Sequence, residues 1–193
     1  MPVYHDIADT LVIAPNFKKR LSGVTSTIVA LVPCQRAMGV KIAALAPEGL
    51  PASVPRVRFR DLWKMWKRPA DAKVRIWHAR RNTEMLPGII LRDALRMPLK
   101  LVFTSAAQRD HSGYTKWLIR RMDAVIATST QAASHLQVPH SIIMHGIDTN
   151  RFVPPADKAA AKAVVGLDPA MKVFGCFGRI RSQKGTDRFV DAM

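Results

Sequence analysis

An α/β fold with a parallel sheet covered on both faces is predicted by three observations. Short, continuously apolar runs recur along the chain, the mark of strands buried on both faces. Stretches of helical periodicity alternate with them, the order expected of parallel strands joined by helical crossovers. The composition, 48% hydrophobic and 23% charged over 193 residues, is that of a soluble globular chain with room for one full domain and part of a second.

The elements follow in order. Thr10–Ala14 is a first strand, ended by Pro15. Val24–Met38 is a helix, kinked by Pro33 and closed by Gly39. Lys41–Ala46 is a second strand and Val57–Phe59 a short third. Val74–Trp77 is the next, followed by a helical pattern over Thr83–Arg96 that Pro87-Gly88 interrupts. Leu99–Thr104 is a strand, Tyr114–Arg121 a helix and Ala124–Ala127 a strand. Thr128 or Ser129 caps a helix at Gln131–Leu136, and Ser141–Met144 is a last strand of this sheet.

After Met144 the periodicity stops. The stretch "HGIDTNRFVPP" reads as a linker. An Ala- and Lys-rich helix at Asp157–Val165, stopped by Gly166, and a strand at Lys172–Phe177 then open a new sheet. The chain thus divides into a domain at 1–145, a linker at 146–156 and the start of a second domain at 157–193. There is no internal repeat and no low-complexity tract.

Charge is the abnormal quantity. The formal net charge is +16, and residues 1–100 hold 18 Lys and Arg against 7 Asp and Glu. Such a field favours anionic partners: nucleic acid, an anionic lipid surface or a polyanionic substrate. A helix-turn-helix, zinc-finger spacing or an aromatic RNA-binding sheet motif is not found, which argues against nucleic acid. Cys34 and Cys176 follow no metal-ligand spacing and read as small buried thiols of a reducing compartment. The first 15 residues show no basic region leading into an apolar one, so no secretory signal is expected.

In parallel sheets ligands sit beyond the carboxyl ends of strands. The loops to watch are therefore Asn16–Gly23, His78–Asn82, Ser105–Gly113 and His145–Pro155. Ser22 and Gly23 open the first helix, where backbone N–H groups favour an anion. Ser22 equally suits a plain helix cap. Lys18, Lys19 and Arg20 face an anionic ligand or simply water. His78, Arg80 and Arg81 follow the fourth strand, and paired arginines suit two-oxygen contacts to carboxylate or phosphate. Capping cations without a ligand are the plainer reading.

Late in the chain, Arg179 and Lys184 lie on a glycine-flanked loop between strand and helix. They suit a diphosphate, or are two solvated cations. The loop lacks the full P-loop pattern. In "FRDLWKMWKR", residues 59–68, Trp63 and Trp66 interleave with Lys64 and Lys67. That mixture suits an anionic headgroup layer, or a packed helix with snorkelling lysines.

Two motifs in sequence order carry a resemblance. "HGIDTNRFVPP" followed by "GRIRSQKGTDRFVDAM" resembles the interdomain junction of family-4 retaining glycosyltransferases of the GT-B fold, and "PNFKKRLSGVTSTI" sits where these enzymes keep a Ser/Gly loop. "IWHARRN" and "VFTSAAQRDHSGYTKWLIRRMDAVIATS" look like the lipopolysaccharide-core mannosyltransferases within that family. The resemblance covers nearly the whole chain.

It implies a Rossmann-like acceptor-side domain, then the first strand-loop-helix of a truncated nucleotide-sugar domain. It implies transfer of mannose from GDP-mannose, with retention, to the Kdo region of the lipopolysaccharide inner core. No metal or other cofactor is expected. The donor diphosphate falls to Arg179, Lys184, Gly23 and Ser22. The lipid-linked anionic acceptor falls to His78, Arg80, Arg81, Lys18 and Lys19, with His78 the one candidate for a catalytic role. Trp63, Lys64, Trp66 and Lys67 would meet the inner face of the cytoplasmic membrane. One departure stands out. Many members carry Thr-x-His after the fifth strand, and this chain has Ala106 there, with His111 a few residues on. A truncated chain of this kind is expected to be inactive alone. The alternatives are a non-catalytic remnant that binds acceptor or membrane, and a basic nucleic-acid-binding protein.

Overall fold

The computed structural model of the chain describes residues 2–18, 22–47, 49–150, 152–178, 180, 182 and 185–193. It forms two compact units, Met1–His145 and Gly146–Met193.

The first unit is built on a seven-stranded sheet. Its strands are β1 (Val12–Pro15), β2 (Ile42–Leu45), β3 (Arg56–Val57), β4 (Arg75–Ala79), β5 (Leu99–Ser105), β6 (Ala124–Ala127) and β7 (Ser141–Ile142). Their order is β3-β2-β1-β4-β5-β6-β7, and every pairing is parallel. Strand β1 carries β2 on one side, with Val12 opposite Ile42, and β4 on the other, with Val12 opposite Ile76. The chain therefore builds outward to β3 and then returns to the far side of β1. That reversal opens a crevice beyond the carboxyl ends of β1 and β4, where ligands of such sheets sit.

Alternation along each strand sends side chains to two cores. Ile13, Trp77, Leu101, Phe103 and Val125 face one side and pack with Met85, Ile89 and Leu118. The last three come from α2 (Asn82–Ile89) and α3 (Gly113–Ile119). Ala14, Ile42 and Ala44 face the other side, under Ile28 and Val32 of α1 (Gly23–Ala37). Serine caps recur at the crossovers. Ser22, Ser112 and Ser129 accept the N–H of Thr25, Thr115 and Ala132 at 3.4, 3.3 and 3.0 Å, opening α1, α3 and the short α4 (Thr130–Ser134).

Two buried arginines are structural. Arg75 donates to the carbonyls of Ile7, Thr10, Ala8, Met65 and Lys67 at 2.5–3.4 Å. It ties the 3-10 turns at Ile7–Asp9 and Phe59–Trp66 to β4. Arg56 donates to the carbonyls of Leu50 and Pro51.

Several expectations are corrected. Pro87-Gly88 does not interrupt the second crossover: α2 runs through it and continues as a π-helical turn at Ile90–Ala94. Gly88 is there for closeness, since a Cβ would lie 2.6 Å from Trp77 Cδ1. Helix α1, by contrast, runs through Pro33 to Ala37 as expected. Within residues 59–68 the helix is of 3-10 type and spans Phe59–Trp66. Both cysteines are exposed, not buried: Cys34 lies on the outer face of α1 and Cys176 in an open segment.

The second unit holds α5 (Lys158–Val164), capped by Asp157, which accepts the Ala159 and Ala160 N–H groups, and α6 (Thr186–Asp191). Lys172–Phe177 is not a strand: these residues are exposed and outside any ladder. A strand exists by pairing, and among the described residues of this unit none is available to pair with it.

Candidate functional site at the sheet switch point

The loops after β1 and β4 meet at the reversal of the sheet. Asn16, directly after β1, is buried, and its N–H bonds the Leu45 carbonyl at 2.9 Å. Arg81, two residues past β4, reaches across. Its Nη1 donates to Asn16 Oδ1 at 2.8 Å and to Glu84 Oε1 at 2.7 Å. Its Nη2 donates to Ser22 Oγ at 2.8 Å and Thr25 Oγ1 at 3.2 Å. Thr25 Oγ1 in turn donates to Asn16 Oδ1 at 3.3 Å. One guanidinium thus binds the end of β1, the first turn of α1 and the first turn of α2.

Glu84 anchors this group. It is fully buried, and its second oxygen accepts the Arg80 backbone N–H at 2.8 Å. Burial pushes its carboxyl above the usual range, against the Arg80 N–H and the Arg81 guanidinium, which favour the charged form. Sequence reasoning missed Glu84, Asn16 and Thr25. The available signal was the R-x-x-E spacing at a helix start, where a glutamate reaches back to an N-terminal N–H.

His78 lies on β4, with Nε2 2.7 Å from Thr104 Oγ1 on β5. Burial, and then the neighbouring Arg80 charge, lower its pKa to about 3, so the ring is neutral at physiological pH. Arg80 is buried, and its Nη1 makes a 3.4 Å contact with the His78 carbonyl. His111 folds back to the end of β5, which adjoins Ala106 in sequence. Its Nε2 lies 3.3 Å from Ser105 Oγ at the end of β5, and its ring packs edge-on to Phe103. Burial first, then His135 and Lys116, lower the pKa of His111. His135 Nδ1 pairs with Asp110 at 3.0 Å.

The other sequence candidates scatter. Ser22 caps α1 while accepting Arg81, and Gly23, the first residue of α1, has open space where a Cβ would stand. Lys18 is exposed, and its carbonyl accepts Asn16 Nδ2 at 3.4 Å. Lys19, Arg179 and Lys184 lie outside the described residues. Trp63 and Trp66 are 64% and 51% exposed. Lys64 pairs with Asp6 and Asp61 at 3.3 and 3.5 Å, and Trp66 Nε1 donates to the Leu95 carbonyl at 2.7 Å. Lys67 is exposed. No helix among the described residues is long and apolar enough to cross a membrane. No group of three or more His, Cys, Asp or Glu among them could hold a metal ion.

No family model matches the chain. It is 67% identical over 188 residues to the lipopolysaccharide core biosynthesis mannosyltransferase LpsB of Rhizobium meliloti. It is 60% identical over 188 residues to the lipopolysaccharide core biosynthesis mannosyltransferase LpcC of Rhizobium leguminosarum bv. viciae. Each match covers 97% of this chain and 53% of the relative, so the chain spans about half the length of these curated relatives. A D-inositol 3-phosphate glycosyltransferase of Segniliparus rotundus is 35% identical over 83 residues, 39% of this chain and 18% of that protein. With its Rossmann-like parallel sheet, the chain is a close homologue of these two proteins over nearly its whole length.

Proposed function

We propose that the chain is the acceptor-side part of a retaining mannosyltransferase that acts on the lipopolysaccharide inner core. Residues 1–145 form the acceptor-side domain, 146–156 the linker and 157–193 the start of the nucleotide-sugar domain. The observation that carries this reading is the 67% identity over 97% of the chain to a protein named a lipopolysaccharide core biosynthesis mannosyltransferase. The switch-point crevice supports it, because its polar groups gather where a ligand of such a sheet belongs.

In this reading GDP-mannose is the donor. Its diphosphate leaves with growing negative charge, and Arg179, Lys184 and the α1 start at Ser22-Gly23 stabilise that charge. His78, Arg80, Lys18 and Lys19 face the anionic acceptor. His78, held neutral, offers a hydrogen bond rather than a charge. Arg81 belongs to the frame, since its guanidinium is engaged by Asn16, Ser22, Thr25 and Glu84.

The enzyme works at the cytoplasmic face of an anionic membrane, with Trp63 and Trp66 in the headgroup layer. Their exposure on one short turn, beside Lys67 and Arg68, supports this. The test is mannosyl transfer by the chain extended to the length of its relatives, compared with residues 1–193 alone. Residues 1–193 are expected to fold without turnover.

A further inference from the structure

Three arginines among the described residues of the first unit are nearly enclosed, and their surroundings differ. Arg75 is 1% exposed and shares its donors among five carbonyls; Arg56 is 5% exposed and bonds two. Arg80 is 9% exposed, and among the described residues its guanidinium makes one hydrogen bond, the 3.4 Å contact to the His78 carbonyl. The adjacent carboxylate is already taken: Glu84 gives one oxygen to Arg81 and the other to the Arg80 backbone N–H. Arg56 Nε is the one fully enclosed side-chain N or O among the described residues without a partner. Arg80 keeps 9% of its surface exposed and is absent from that class, so its remaining donors are largely but not wholly enclosed.

A guanidinium largely withdrawn from water with only one long hydrogen bond among the described residues is poorly compensated, and an anion with two oxygens repairs the deficit through the planar fork. The side chain is also held for that task. Its backbone is fixed by Glu84, and its neighbour Arg81 is locked in the network across the switch point. The position, one residue past β4, is at the carboxyl end of a strand that borders the crevice.

We propose that Arg80, and not Arg81, is the anion-binding arginine of this pair, and that its ligand is a carboxylate or phosphate presenting two oxygens to the guanidinium edge. Arg81 is the brace that holds the loop. The inference deepens the functional reading and rests on it only for the source of the anion: an acidic sugar of the acceptor, or the phosphate of the donor.

The test uses the 193-residue chain and follows the Arg80 Nε–H resonance in an isotope-labelled sample at fixed ionic strength. Inorganic phosphate stands for the donor group and galacturonate for an acidic sugar, with chloride as the baseline. A saturable shift of this resonance with one or both probes, kept in the exposed control Arg109→Gln, is expected. Arg80→Gln assigns the resonance by its disappearance, and the shifts that the probes cause in the neighbouring Arg81 and Asn82 backbone N–H signals should be lost in that variant. The probe that saturates at lower concentration names the source. In the anion-free chain, Arg80→Met should raise the melting temperature, because it removes a largely buried charge with few hydrogen-bond partners, whereas Arg81→Met should lower it. No shift beyond chloride with either probe, or a loss of melting temperature in Arg80→Met equal to that in Arg81→Met, overturns the proposal. Mannosyl transfer is not read here, so a chain that binds the probes but supports no transfer when extended overturns the functional reading alone.

Discussion

Arg81 Nη1 stands 2.8 Å from Asn16 Oδ1, and this contact ties the loop after β4 to the loop after β1 across the reversal of the sheet. The two residues are 65 positions apart. The same guanidinium holds Ser22 and Thr25, so the start of α1 is placed from the far side of the crevice.

Breaking this brace should be costly. Arg81→Ala leaves the enclosed Glu84 carboxylate without its charged partner. The expected loss is about 3 kcal/mol of unfolding free energy. Arg81→Met combined with Glu84→Leu should cost clearly less than the sum of the two single changes, because each partner is expensive chiefly when alone. Urea unfolding of the four proteins reads the coupling. Strictly additive losses would contradict the brace.

His78 should leave a mark on the acid limb of stability. Its pKa is about 3 in the folded chain against an ordinary 6.5. Between those values the unfolded chain binds a proton that the folded chain does not. The stability is complete above pH 6.5 and drains as pH falls, at about 1.4 kcal/mol per unit. Glu84 acts in the opposite sense, since its raised pKa makes stability fall as pH rises through the range above its ordinary value. Comparing wild type with His78→Gln cancels that contribution. From pH 7 to pH 5, wild type should lose about 2 kcal/mol more than the variant. Parallel pH profiles would show that His78 titrates normally.

Gly88→Ala tests the close approach of α2 to β4. The new Cβ would meet Trp77 Cδ1 at 2.6 Å and Nε1 at 2.8 Å. Trp77 cannot retreat, being enclosed in the core with its N–H bonded to the Glu84 carbonyl at 2.8 Å. Overpacking should cost about 1–3 kcal/mol, despite the better helix propensity of alanine. Denaturant unfolding, with tryptophan emission as a second signal, checks this. A neutral or stabilising outcome would mean that the contact is loose.

The parallel sheet was legible because its strands are apolar on both faces, and the serine caps because Ser22 and Ser129 sit directly before helical periodicity. Pro87-Gly88 was misread because the propensity of two residues says nothing of Trp77, which comes to lie against them from another element. The Lys172–Phe177 run has the apolar composition of a strand, but composition does not supply a partner. At the site, Arg80 and Arg81 looked alike in sequence. Only the fold shows one saturated by four side chains and the other with a single long hydrogen bond among the described residues, because Asn16, Ser22 and Thr25 arrive from distant positions.

Membrane docking should depend on Trp63 more cleanly than on Trp66. Trp66 also bonds the Leu95 carbonyl, so its removal disturbs the fold. Trp63→Ala should weaken co-sedimentation with anionic vesicles at all salt concentrations. Lys67→Glu should weaken it mainly at low salt, since exposed charges are screened within about 8 Å at physiological ionic strength. Lys64→Glu should add little, because Lys64 already pairs with Asp6 and Asp61. Unchanged binding of Trp63→Ala and Lys67→Glu would remove this segment from the membrane surface.

The most direct measurement is mannosyl transfer from GDP-mannose to a Kdo-terminated acceptor by residues 1–193 joined to the remaining half of the Rhizobium meliloti relative. The account predicts turnover with retention at the anomeric carbon. It also predicts a loss of about two to three decades in kcat/KM for Lys184→Ala, if the proposed contact of this cation with the leaving diphosphate is made. Ser182→Ala should stay near the parent. A folded chimera that transfers no mannose, or one indifferent to Lys184→Ala, would contradict the account.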